Sequence, residues 1–169
     1  MEIRTATLAD RPAFLSLWKD FLIEHAKQGG HIEVCDENVL AFLGLFESYI
    51  AGGLFGATLI AWEGDEAVGL MMGGESPPGG LYIQTTRGRM YNIWGGYVRP
   101  EYRRKGISWA MLDLCPAIAR KLGFDTMTSL IIPNDRVSSA HTLDWGAKVA
   151  ESIAVFPLGE TEHGRQRST

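Results

Sequence analysis

The stretch at positions 90–124, MYNIWGGYVRPEYRRKGISWAMLDLCPAIARKLGF, constrains the fold more than any other part of the chain. It opens as a strand-like aromatic and branched run, MYNIWGGYV, interrupted by Gly95 and Gly96. Glycines inside a strand mark a bulge or a place where another backbone or a ligand comes close. It ends as a helix, in which Ile107, Met111, Leu114, Ile118 and Leu122 recur at helical spacing, Gly123 supplies the stop and Pro116 predicts a kink. Between them lies a basic turn. A strand delivered through such a turn into a helix leaves main-chain N–H groups unpaired at the positive helix N-terminus, which is an anion site by construction. Gly106 lets the backbone approach the anion, Ser108 is small and offers a hydroxyl, and Arg103, Arg104 and Lys105 add mobile positive charge. A solvated basic turn has the same local sequence, so the neighbours must decide.

Charge sharpens the question. The chain of 169 residues carries a formal charge of −4, yet positions 99–105 hold four cations and one acid. The remainder is therefore at −7, which argues against general nucleic-acid binding. At 46% apolar and 21% charged residues the chain can bury one domain-sized core. Cys35 and Cys115 stand apart without a CxxC pair, and the four histidines show no ligand spacing, so reduced thiols and no metal site are expected. No apolar run reaches the roughly 20 residues of a membrane span, and nothing at the N-terminus reads as a signal peptide. A soluble, cytoplasmic protein is expected.

Elsewhere the pattern is as regular. IRTATL at positions 3–8 alternates as a strand, and Asp10 reads as the cap of a helix carrying Phe14, Leu17, Trp18, Phe21 and Leu22, with Pro12 in its first turn. A second helix places Val39, Phe42, Leu43, Phe46 and Ile50 on one face and stops at Gly52 and Gly53. Two apolar runs around EGDE at positions 63–66 read as a hairpin. TMTSLIIP, a weakly helical NDRVSSAHTLDW and the closing AKVAESIAVFPL add a strand, a helix and one or two terminal strands, followed by a polar tail.

This order, and the residues Val98, Pro100, Arg103, Gly106 and Ser108, resemble the GNAT superfamily of N-acetyltransferases, whose acyl-CoA loop reads R/Q-x-x-G-x-G/A after a V-x-P strand exit. Serine stands here in place of the final glycine or alanine. LGF at positions 122–124 and Asn134 after the next strand extend the likeness, which runs from position 3 to about 158. The resemblance implies an α/β (α+β) three-layer fold: a mixed sheet of about six or seven strands, splayed at its centre and flanked by about four helices. It implies one domain over residues 1–158 with a tail at 159–169.

It also implies acetyl-CoA, or another short acyl-CoA, bound between the MYNIWGGYV and TMTSLIIP strands. The backbone of Tyr97 and Val98 would hold the pantetheine arm. The amides of Arg103, Arg104, Lys105, Gly106, Ile107 and Ser108 would hold the pyrophosphate, and Asn134 would reach the pantetheine or cap a helix, or do both. The implied reaction is attack of a primary amine, on a small molecule or peptide, at the thioester carbonyl.

A lysine-type amine, with pKa about 10.4, is neutral about one part in a thousand near pH 7.4 and demands a base; an α-amine, at roughly 7.7 to 8.0, does not strictly need one. Family members often supply a glutamate on the cofactor strand and a tyrosine on the last helix. Here residues 90–97 hold no carboxylate, and seven residues after Asn134 stands His141, or Thr142 when counted back from Gly146. His141 is therefore the first acid or base candidate, with Tyr91 and Glu75 behind it; each also reads as a packing or turn residue. Phe14, Trp18, Phe21, Phe42 and Phe46 read either as core or as the lining of an acceptor pocket.

Two other readings stay open: a non-catalytic acyl-CoA sensor, and a nucleic-acid-directed role using Arg87, Arg89, Arg99, Arg103 and Arg104, which is the weaker because CoA phosphates already explain the turn. The terminal strands would leave an edge on which a homodimer could form.

Overall fold

The computed structural model describes residues 1–27, 33–75 and 89–129. Five strands form one sheet: β1 (Glu2–Thr5), β2 (Gly56–Glu63), β3 (Glu66–Gly74), β4 (Met90–Val98) and β5 (Thr126–Ser129). They lie in chain order, antiparallel except for the parallel pair β4 and β5. Helices α1 (Arg11–Lys27) and α2 (Asp36–Ala51) cover one face, and α3 (Ile107–Lys121) covers the other. Strand alternation explains the division, with its phase shifted on β3 by a bulge that leaves Val68 as the extra residue between Ala67, paired with Trp62, and Gly69, paired with Ala61. Ile60, Leu70 and Met72 face α1 and α2, whereas Leu59, Ala61, Val68 and Met71 face α3. The mixed, three-layer α+β architecture expected from the sequence is thus present. The expected terminal strands, the helix around His141, Asn134 and the tail lie outside the described residues, as does any splay of β5 beyond Ser129.

Most local expectations hold. Gly64 and Asp65 turn the hairpin between the paired Glu63 and Glu66, with Gly64 at φ +59°. Gly52 ends α2 in the left-handed conformation, at φ 78°.

Two expectations are corrected. Asp10 does not cap α1: a 3-10 turn over Leu8–Asp10 leads into the helix, and Thr7 takes the cap position. Asp10 is buried, where its carboxylate accepts the Thr7 N–H at 2.7 Å and both terminal nitrogens of Arg4 at 2.8 and 2.7 Å. Arg4 also lies over the Trp62 ring at 5.1 Å, so this pair fastens β1 and β2 to the start of α1.

On α3, Leu114 is exposed, and the buried stripe is Ile107, Met111, Leu112, Cys115 and Ala119. Each step of four from Ile107 to Ala119 advances about 40° around a 3.6-residue helix, so the buried stripe winds toward Leu112 and away from Leu114.

Candidate active site

Strand β4 runs through the middle of the layers and carries the irregularity its glycines predict. Met72 pairs with Gly95 and Gly73 with Ile93, which leaves Trp94 as the extra residue of a bulge. Gly95 is required there by close approach: a Cβ would lie 2.8 Å from the Phe21 ring and 3.1 Å from that of Trp18. The bulge therefore brings α1 directly onto the strand.

Beyond it, the register sets which main-chain groups are free. The Arg99 N–H donates to the Val68 carbonyl at 2.9 Å, so with the pairs Val98–Gly69 and Tyr97–Leu70 the alternation turns the Tyr97 amide toward β3. Gly96 and Val98 turn theirs the other way, to the side of β5. Of the two residues expected at a pantetheine arm, Val98 presents its N–H to that side, while the register turns the Tyr97 amide to the ladder and the Gly96 amide to the free side.

The basic turn follows. A 3-10 turn over Pro100–Tyr102 leads to Arg103, then Arg104 at φ 61° and Gly106 at φ 77°, ψ 4°, the N-cap of α3. The Gly106 carbonyl accepts the Ala110 N–H at 2.9 Å, so the amides of Ile107 and Ser108 stand ahead of the first helical bond. Two left-handed residues in such a turn bend its amides toward a common concavity. A Cβ on Gly106 would meet nothing within 4 Å, so glycine is needed for its backbone angle, and the space before it is open. Arg104 and Lys105 are exposed at this rim, Ile107 is buried beneath it and Ser108 is half-buried. The donor set fits a pyrophosphate.

Arg103 departs from expectation because its guanidinium is engaged within the protein. Its Nε donates to the Val98 carbonyl at 2.8 Å, its Nη2 to Glu24 Oε2 at 2.6 Å, and its guanidinium lies 5.6 Å from the Tyr97 ring centre. The Glu24 hydrogen bond raises the Arg103 pKa further above its already high value. Nearby, Arg99 pairs with Glu66 at 2.8 Å and donates to Ser16 Oγ at 3.2 Å, and its Nε lies 3.9 Å from Asp20.

The remaining candidates divide by face. Tyr91 is buried on the α3 side, edge-on to Phe124 at 5.4 Å, and burial pushes its hydroxyl pKa well up. The structure does not bring it to the face of Tyr97 and Trp94. Glu75 accepts the Phe55 N–H at 3.3 Å with its carboxylate and caps a turn. Phe14, Trp18 and Phe46 are wholly buried and stacked as core, while Phe21 and Phe42 are half-buried beside them.

Residues not singled out from sequence also matter. Tyr49, from α2, accepts the Trp94 indole N–H, and Thr128 on β5 donates to buried Asn92 on β4 at 2.6 Å. Tyr49 reads as one more apolar position of α2, and no sequence signal marks it.

Among the described residues no three His, Cys, Asp or Glu side chains converge as a metal site, and no helix is long and apolar enough to cross a membrane.

The family model described as acetyltransferase (GNAT) family matches residues 18–143. No curated protein matches the sequence. Among solved structures, a predicted acetyltransferase from Clostridium acetobutylicum, determined with acetyl-CoA, is 20% identical, with a TM-score of 0.70 over 96% of this chain and 99% of its own. The aminoglycoside antibiotic 6'-N-acetyltransferase AAC(6')-IG from Acinetobacter haemolyticus is 16% identical, with a TM-score of 0.66 over 93% of this chain and 97% of its own. The aminoglycoside N-acetyltransferase AAC(6')-Iy in complex with CoA is 15% identical, with a TM-score of 0.66 over 92% and 98%. These likenesses establish a shared fold. With the family model spanning the bulged strand, the basic turn and α3, the chain belongs to the GNAT acetyltransferase family.

Proposed function

We propose that the protein transfers an acetyl group from acetyl-CoA to a primary amine by direct attack within a ternary complex. The observation that carries this reading is the turn at residues 104–108, whose two left-handed residues and open Gly106 precede α3 next to a strand end with the Val98 N–H on its free side. Solved relatives that hold CoA or acetyl-CoA, and one in complex with a bisubstrate analog of an acetylated aminoglycoside, support the two substrate classes.

In this reading the amides of residues 104–108 bind the pyrophosphate, with Arg104 and Lys105 adding charge from the rim. The Gly96 main chain pairs with the pantetheine arm, which Asn134 also contacts, and the Val98 N–H is left for the thioester. A neutral amine attacks the thioester carbon, and the Val98 N–H stabilises the resulting oxyanion by about 2.7 to 4 kcal/mol if it acts as other such donors do. The carbonyl re-forms as the C–S bond breaks; the amine loses a proton and the thiolate gains one. His141 is the proposed group for that proton, since imidazole titrates near neutrality. Tyr91, on the α3 face, is given no step.

The test is thiol release from acetyl-CoA with a panel of amines spanning polyamines, aminoglycosides, amino acids and peptide N-termini, with the acetylated amine identified by mass spectrometry. Amine-dependent release supports the reading. Tight acetyl-CoA binding with no turnover on any amine overturns it in favour of a non-catalytic acyl-CoA sensor.

A further inference from the structure

Besides Glu101 and Glu66, which stand beside the start of the turn, α1 brings acids to the proposed phosphate turn, where an acid is electrostatically the wrong neighbour for a phosphate. Ser16, Asp20 and Glu24 follow one another at intervals of four and so form a single stripe along the helix. Arg99 and Arg103, also four apart, stand at the two ends of the 3-10 turn that leads into the phosphate turn, and they meet that stripe. Arg99 contacts Ser16 at 3.2 Å and lies 3.9 Å from Asp20; Arg103 contacts Glu24 at 2.6 Å. The Arg103 contact is a chain of three groups, because the same guanidinium holds the Val98 carbonyl at 2.8 Å and lies over the Tyr97 ring.

We propose that Glu24 is a positioning residue for the acetyl-CoA site: through Arg103 it fixes the end of β4 and the start of the phosphate turn, even though its charge opposes phosphate binding. This inference rests on the acetyl-CoA reading given above. Arg103 serves as an internal strut of the turn, which leaves Arg104 and Lys105 as the cations at its rim. The strut also joins the cofactor turn to α1, the helix that packs on the bulge through Phe21 and Trp18.

The two effects of Glu24 have opposite signs, which makes the proposal testable. Removing an acid near a phosphate site strengthens anion binding by charge alone, whereas removing a positioning group weakens it. Calorimetric titration with acetyl-CoA should show Glu24→Ala weakened by about fivefold, the loss of about 1 kcal/mol from one partly exposed ion pair. Glu24→Gln, which keeps an acceptor oxygen for Arg103 but no charge, should bind within about twofold of the parent by the same conversion. In turnover, the KM for acetyl-CoA should rise in Glu24→Ala with the amine KM unchanged.

Tighter binding by both variants overturns the proposal and leaves Glu24 as a mere electrostatic opponent. Should Glu24→Ala fail to fold, Arg103→Lys decides: lysine can meet Glu24 but lacks the Nε that holds Val98, so it must weaken binding, and parent-like affinity overturns the proposal. A folded parent that binds no acetyl-CoA overturns the cofactor reading itself, an outcome distinct from any ordering of the variants.

Discussion

Trp94 donates its indole N–H to the Tyr49 hydroxyl at 2.8 Å, and that hydroxyl donates in turn to the Glu75 carbonyl at 2.8 Å. The chain ties the bulge residue of β4 to α2 and to the end of β3. Burial raises the Tyr49 pKa, so the hydroxyl stays protonated and keeps its donor. Tyr49→Phe removes a donor and an acceptor together and leaves a carbonyl and an indole N–H without this partner. A loss of about 1 to 3 kcal/mol is expected in urea unfolding, with a shift in Trp fluorescence that a distant substitution would not produce.

Gly73 tests the packing beneath the site. A Cβ there would lie 2.3 Å from the Tyr91 ring, which is itself held edge-on against Phe124. A buried ring cannot move aside as the end of a flexible chain can. Gly73→Ala should therefore destabilise by about 1 to 3 kcal/mol, measured by thermal or denaturant unfolding.

The Asp10 and Arg4 pair makes stability depend on acid. The Arg4 hydrogen bond, with help from Thr7 and against the cost of burial, holds the Asp10 pKa well below the ordinary carboxylate value. A group depressed on folding contributes stability that is fully present above its unfolded pKa of about 3.9 and is lost as pH falls through the folded value. Asp10→Asn should cost about 2 kcal/mol at neutral pH. Below about pH 4 the gap between parent and variant should narrow; unfolding curves from pH 7 to pH 2 measure it.

The two thiols should differ in reactivity. Cys115 is buried against Met71 and the Met111 carbonyl, and burial pushes its thiol up to about 12. Cys35 is half-buried at the start of α2. Native labelling near pH 8 should modify Cys35 first, and Cys115 only after denaturant is added, which intact-mass spectrometry counts directly.

Arg104 and Lys105 carry the electrostatic part of the proposed site. Both are exposed, so replacing both with alanine should change stability by about 0.5 kcal/mol at most. The same replacement should weaken acetyl-CoA binding by about tenfold and flatten its salt dependence, as expected for the loss of two charges that meet phosphate.

Local patterns reveal what depends on neighbours in sequence. The bulge at Trp94 was legible from Gly95 and Gly96, the hairpin from EGDE, and the turn from the glycine and cations ahead of α3. Long-range partners were not legible. Arg103 looks like a mobile cation until Glu24, 79 residues earlier, is placed beside it. Asp10 reads as a helix cap because acids favour that position; its burial follows from Arg4 on a strand, which no local pattern records. Leu114 fits a 3.6-residue period as well as Leu112 does, and only the angle at which α3 lies on the sheet separates them.

The most direct test of the account is calorimetric titration of the folded protein with acetyl-CoA, beside Gly106→Trp. Gly106 is exposed and no protein atom lies within 4 Å of the position its Cβ would take, so the indole meets no core atom, while its bulk and the strain of a side chain at φ 77° both act on the turn itself. The account predicts saturable one-to-one binding by the parent and none by the folded variant. Equal binding by both would mean that the turn at residues 104–108 does not hold the pyrophosphate, and no binding by either would mean that it is an ordinary solvated turn.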